Sequence, residues 1–147
     1  ATLSRSSTIL SILRQCLSEG TCGKVLVARS YPGDEGVIMA RDVGATTSSV
    51  VSDDELEKAL EGGDADVLLF GGDCVMEEMG VVNKIGTLAL AKAARVGGVE
   101  VYACVDRWKL WDDVFPPPME DIFEFVPIAD IDRVLVPLPR DEKTCSN

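Results

Sequence analysis

Residues 66–87 read DVLLFGGDCVMEEMGVVNKIGT, and their first seven residues carry the strongest fold signal in the chain. Val67, Leu68, Leu69 and Phe70 form an apolar run bounded by Asp66 and by Gly71-Gly72. So short a run between turn residues predicts a central strand buried on both faces, the habit of parallel sheets. The glycines let the backbone turn sharply at the carboxyl end of that strand, where parallel α/β sheets take their ligands. Asp73 then stands at the rim with its carboxylate toward the crevice. The plainer reading of Asp73 is a turn or helix cap. Val82 to Thr87 is read as the opening of a helix, where Asn83, Lys84 and first-turn N–H groups can hold a phosphate. An ordinary Asn cap beside a solvated Lys fits the same residues.

Outward from that stretch, helical and extended patterns alternate. Ile9, Leu10, Leu13, Cys16 and Leu17 recur at three- and four-residue spacing and predict a helix over 5–19, closed by Gly20 and Gly23. KVLVA at 24–28 predicts a buried strand, and a second helix is expected from Asp34 to Val43. The β-branched run at 45–51 predicts another strand. Ser52 and Glu55 have capping-box spacing before a helix carrying Leu56, Ala59 and Leu60. A helix over 85–96 and a strand over 99–105 follow, then short strands at 124–125 and 133–136. This alternation predicts an α/β, Rossmann-like three-layer domain with a mostly parallel sheet, spanning 1–138, and a polar tail over 139–147. Trp108 to Pro118 breaks the pattern as an irregular apolar segment, with the tryptophans as core or interface anchors or as a stacking platform.

Composition bounds the chemistry. The 147 residues are 46% hydrophobic, enough for one core, and carry 14 basic against 25 acidic side chains, a net charge of −11. That balance argues against direct nucleic-acid binding. A phosphorylated ligand would need local devices such as helix N-termini and a few placed cations. The chain has no histidine, which disfavours imidazole acid–base work, Ser-His-Asp catalysis and most transition-metal sites. No metal and no cofactor is expected. Five cysteines without a C-x-x-C spacing predict reduced, mostly buried thiols, and so the cytoplasm or another reducing compartment. No apolar run is long enough to span a membrane, and no secretory signal is visible.

Two further segments suit an anion. Residues 2–8, TLSRSST, bring hydroxyls and Arg5 before the first helix, although Ser-rich capping explains them equally. Lys109 follows the 99–105 strand at the same rim, where a plain surface Lys is the ordinary alternative. Cys74 beside Asp73 is a poor nucleophile, because a neighbouring carboxylate raises a thiol's pKa.

Asp66 to Thr87 resembles the translation initiation factor 2B alpha/beta/delta family, which includes methylthioribose-1-phosphate and ribose-1,5-bisphosphate isomerases. The stretch is similar to that family's strand, G-A-D/E turn, variable loop and N-K-[IV]-G-T. Thr2 to Thr8 resembles its T-H-C-x-S loop, Ser30 to Gly36 its S-R-P-x-x-x-G turn, and Tyr102 to Lys109 its strand ending in F-K. Residues 125–136 are similar to its closing region. The resemblance covers nearly all of the chain, as the family's carboxyl-terminal domain. The helical amino-terminal domain that family members also carry is not among these residues.

The resemblance implies several roles. In the isomerases a Cys and an Asp move protons across a sugar phosphate; Asp73 matches the Asp, and Ser4 stands at the Cys position. Ser6, Asn83, Lys84 and Lys109 match positions that hold phosphates and hydroxyls, while Tyr31 replaces the Arg of the S-R-P turn. A serine without a base has no usable acidity near neutral pH. The expectation is therefore a non-catalytic or weakly active member, an assembly or regulatory domain that takes a sugar phosphate or nucleotide phosphate and forms homo- or hetero-oligomers. Two alternatives stay open: an aldose–ketose isomerase using Asp73 with another partner, and a purely structural subunit of a larger complex.

Overall fold

The computed structural model describes residues 1–76, 78–111 and 121–136. The expected tail over 139–147 and most of the Trp108-to-Pro118 segment lie outside them. Six strands form one parallel sheet: β1 (Thr2–Leu3), β2 (Val25–Ala28), β3 (Ser48–Val51), β4 (Val67–Phe70), β7 (Glu100–Cys104) and β10 (Arg133–Leu135). Their spatial order is β3-β2-β1-β4-β7-β10. The chain builds outward from β1 in one direction, then restarts beside it at β4 and builds in the other. The carboxyl ends of β1 and β4 thus flank the crevice of a doubly wound sheet.

Helices cover both faces, as expected. On one face α1 (Ser7–Ser18) and α2 (Glu35–Val43) place Ile9, Leu13, Met39 and Ala40 against Val25 and Val27. On the other, α3 (Asp53–Glu61) and α4 (Thr87–Gly97) place Leu56, Leu60, Leu90 and Ala94 against Leu68, Phe70, Val101 and Ala103. The 67–70 strand is less enclosed than its sequence predicts. Leu68 and Phe70 are buried, while Val67 and Leu69, on the α1 side, are half-buried. The expected capping box is formed: the Ser52 hydroxyl accepts from Glu55 N, and the Glu55 carboxylate accepts from Ser52 N.

A second, four-stranded sheet was not expected. It comprises β5 (Cys74–Met76), β6 (Gly80–Lys84), β8 (Leu110–Trp111) and β9 (Phe123–Pro127), in the order β8-β5-β6-β9. Val82, Asn83 and Lys84 therefore do not open a helix. They end the antiparallel strand β6, and α4 begins at Thr87, with left-handed Gly86 as its N-cap. The pleat explains the paired valines: Val81 enters the main core, while Val82 packs on the opposite face with Cys74 and Met76. Trp108, on a 3-10 turn before β8, is 79% exposed, so it is no core anchor.

Candidate functional site

The crevice between β1 and β4 is built from two turns. After Leu3 the backbone turns left-handed at Ser4 (φ 56°), and Ser6 caps α1 by accepting from Ile9 N at 3.3 Å. After Phe70 the chain runs through Gly71 and Gly72 to Asp73. A Cβ on Gly71 would lie 2.8 Å from Ser6 Oγ, and one on Gly72 would lie 2.6 Å from methyls of Val81 and Val105. The missing side chain of Gly71 lets the two turns approach this closely, and that of Gly72 lets the second turn lie against Val81 and Val105. Between them lies a cavity of about 140 Å³, lined by residues 3–8 and 71–73 together with Asn83 and Lys109.

Ser4 and Asp73, 69 positions apart in sequence, line the same cavity, as do Arg5, Ser6, Asn83 and Lys109. The Lys109 amine donates to Gly72 O at 2.5 Å and lies 3.6 Å from Asp73 Oδ1. The Arg5 guanidinium pairs with Asp42 at 3.0 Å. The Asn83 side-chain amide is buried and donates to Thr87 Oγ1 at 3.0 Å. Thr8, inside a motif singled out for its hydroxyls, donates to Asp106 at 2.9 Å and ties α1 to the end of β7. Asp106 carried no local sign of that role, since its partner is 98 positions away.

Lys84 is not among the cavity's lining residues. Its side chain is buried, donates to Ser30 O at 3.2 Å, and forms an ion pair with Glu35. A buried ammonium requires a partner, and Glu35 supplies it from the first turn of α2. Burial pushes the Glu35 carboxyl up, but the Lys84 hydrogen bond, its own backbone amide and the Lys84 charge together hold it below the usual carboxylate range.

The proton chemistry available is limited. Among the described residues, no side-chain base accepts from the Ser4 hydroxyl. Burial, and then the Asp73 charge, push the Cys74 thiol up, and its side chain sits in the Met76–Val82 cluster. Burial pushes Cys104 up to about 11. Among the described residues no group of His, Cys, Asp or Glu is placed to hold a metal ion, and no helix is long and apolar enough to cross a membrane.

The sequence profile of the Initiation factor 2 subunit family matches residues 1–144. The chain belongs to that family. A ribose 1,5-bisphosphate isomerase of Haloterrigena turkmenica is 34% identical over 113 residues, 74% of this chain and 33% of that protein. The solved structure of the Pyrococcus horikoshii OT3 translation initiation factor eIF-2B superposes with a TM-score of 0.79 at 23% identity, covering 91% of this chain and 54% of that one. The tetrameric eIF2B-beta2-delta2 complex from C. thermophilum gives 0.76 at 17% identity, covering 91% and 48%. At these identities the two solved structures establish the shared α/β fold. This Initiation factor 2 subunit family chain spans 33% to 43% of the length of the curated relatives it matches and about half of the solved chains.

Proposed function

We propose that this domain binds a phosphorylated small molecule, a sugar phosphate or nucleotide phosphate, in the crevice between β1 and β4 without isomerising it, and serves as an assembly or regulatory module. One observation carries the reading. The hydroxyls of residues 4–8, the Lys109 ammonium and the Asn83 amide surround one small cavity, yet among the described residues no side-chain base accepts from the Ser4 hydroxyl. Hydroxyls, a cation and the first-turn amides of α1 that precede the capped Ile9 suit a phosphate. An unactivated alcohol does not shuttle protons between sugar carbons at neutral pH. Asp73 alone supplies half of such a shuttle. A solved relative named as a tetrameric complex supports the assembly side of the reading.

The test is a pair of measurements on the 147-residue chain. Titration calorimetry with ribose 1,5-bisphosphate and with inorganic phosphate should show saturable binding. A chromatographic assay for the ketose product should show no turnover above a protein-free control. Measurable turnover abolished by Asp73→Asn would establish the isomerase alternative. Absence of binding by either phosphate compound would leave the structural-subunit alternative.

A further inference from the structure

Ser4 and Ser30 stand just past the ends of neighbouring strands. Ser4 is the first residue past β1, Ser30 lies two residues past the neighbouring strand β2, and both have left-handed backbones, with φ of 56° and 69°. The Ser30 hydroxyl links them, accepting from Ser4 N at 2.6 Å while donating to Ala28 O at 3.1 Å. Ser30 is itself fixed on every side. Its amide donates to Asp53 Oδ1 at 2.7 Å, the next amide, of Tyr31, donates to Asp53 Oδ2 at 2.9 Å, and its carbonyl accepts from Lys84. Ser30 is 3% exposed and is not among the residues lining the β1–β4 cavity.

We propose that Ser30 is the positioning residue of the anion site: clamped by Asp53 and Lys84, its hydroxyl holds the Ser4 amide and so sets the aim of residues 4–8. This rests on the proposed ligand site and adds a group that never touches the ligand. The turn at Ser4 is where the chain leaves the sheet for α1, so its backbone angles orient every hydroxyl that follows. A non-glycine residue in the left-handed region is held there only by its surroundings. Without the Ser30 hydroxyl the Ser4 amide loses its acceptor, and the turn relaxes toward the ordinary extended region. The cavity then presents its hydroxyls at the wrong angle, although none has been removed. Asp53 does double duty, since it is both the first residue of α3 and the clamp on the Ser30 turn. Lys84 thereby acts on the crevice through Ser30.

Ser30→Ala is the informative variant, because it removes the hydroxyl alone and keeps the Cβ on the left-handed backbone. Ser30→Gly loses the hydroxyl together with the Cβ and carries no left-handed cost, so the two should weaken binding alike if the hydroxyl matters. Ser48→Ala, which removes a hydroxyl bonded to Ala40 O and Gly44 O at the far end of β3, is the control for general loosening. Two readouts are taken with all chains fully folded: hydrogen exchange of the Ser4 amide by NMR, and inorganic phosphate affinity. Both Ser30 variants should speed Ser4 exchange about tenfold and weaken phosphate about tenfold, while Ser48→Ala leaves both unchanged. Ser4 exchange and phosphate affinity within twofold of the parent in Ser30→Ala would overturn the proposal. If the parent chain binds no phosphate, the ligand reading fails, and the exchange measurement still decides whether Ser30 holds the turn.

Discussion

Leu3 separates two polar regions that treat their charges in opposite ways. On one side, around Ser30, groups face each other: the Asp53 carboxylate takes two amides, and the Lys84 amine takes a carbonyl and the Glu35 carboxylate. On the other side, Asp73 and Lys109 stand 3.6 Å apart at the mouth of the crevice, with 49% and 28% of their side chains exposed. A buried charge is unfavourable unless its bonding is complete, so the first region is closed and structural. A charge at a wet mouth gains little from its neighbour and remains available to a ligand. Two lysines that look alike in the sequence thus belong to different kinds of chemistry.

The sharpest way to break the closed region is to push its framework apart. Gly36, at the start of α2, donates to Arg29 O at 3.2 Å, and a Cβ there would lie 1.7 Å from Ala28 O. The obstruction is backbone, so no side-chain rotation relieves it. Gly36→Ala should force α2 away from β2, carry the Ser30 turn with it, and lower stability by about 3 kcal/mol. Urea unfolding measures this, and a loss under 1 kcal/mol would show that the α2–β2 junction is looser than its geometry states.

Next in size is Lys84→Met, which leaves Ser30 O and Glu35 without their cation. The loss should be roughly 2 kcal/mol, below the usual value for a broken buried pair because the Glu35 side chain is 37% exposed. The pair also makes stability depend on acid. The folded pKa of Glu35 lies below its ordinary 4.5, so its contribution is full above about that pH and disappears as pH falls through the lower folded value. The stability difference between the parent and Lys84→Met should therefore shrink as pH drops below 4.5. A difference constant from pH 7 to pH 3 would remove Glu35 from the account.

Lys109→Met inverts that result. Its amine caps Gly72 O at the crevice mouth, so stability should change by about 0.5 kcal/mol or less, while inorganic phosphate affinity should fall about tenfold. Comparable effects of the two lysine variants on both measurements would erase the distinction between the regions.

How far this contrast is legible in the sequence depends on range. The apolar run of β4, the stripe of α1 and the Ser52–Glu55 box are local patterns, and each appears where its spacing places it. β1 is only two residues long, too short for any periodicity to register. The β5–β6 hairpin escaped because β6 is buried on both faces, so its pleat leaves no polar alternation to read. Asn83 and Lys84 look like a helix opening because Gly86 and Thr87 follow them, and the antiparallel partner strand is invisible locally. Lys84 and Glu35 are 49 positions apart, and Ser4 and Ser30 are 26. Residue types and turn spacing place Ser4, Asp73 and Lys109 at one rim. Which cation the fold then neutralises internally is decided by contacts that no short window contains.

The smallest expected effect bears most directly on the open region. Among the described residues lining the β1–β4 cavity Asp73 is the one carboxylate, and it faces the same volume as the hydroxyls of residues 4–8. A carboxylate beside a bound phosphate repels it, and the repulsion is moderated here by Lys109 and by water at the half-exposed side chain. Asp73→Asn keeps the shape, removes the repulsion and frees the Lys109 amine, so inorganic phosphate should bind about threefold more tightly, at the scale of one screened surface interaction. Raising the salt concentration should narrow the difference between parent and variant, since the term is Coulombic. A ligand that depends on a hydrogen bond to the carboxylate, such as the hydroxyls of a sugar phosphate, should respond in the opposite direction. Tighter phosphate with weaker ribose 1,5-bisphosphate would show that Asp73 reads the sugar while Lys109 and the turn after β1 hold the phosphate. Weaker binding of both compounds would mean that the carboxylate's role is to hold Lys109 in place, and the crevice would then be as closed a network as the one around Ser30.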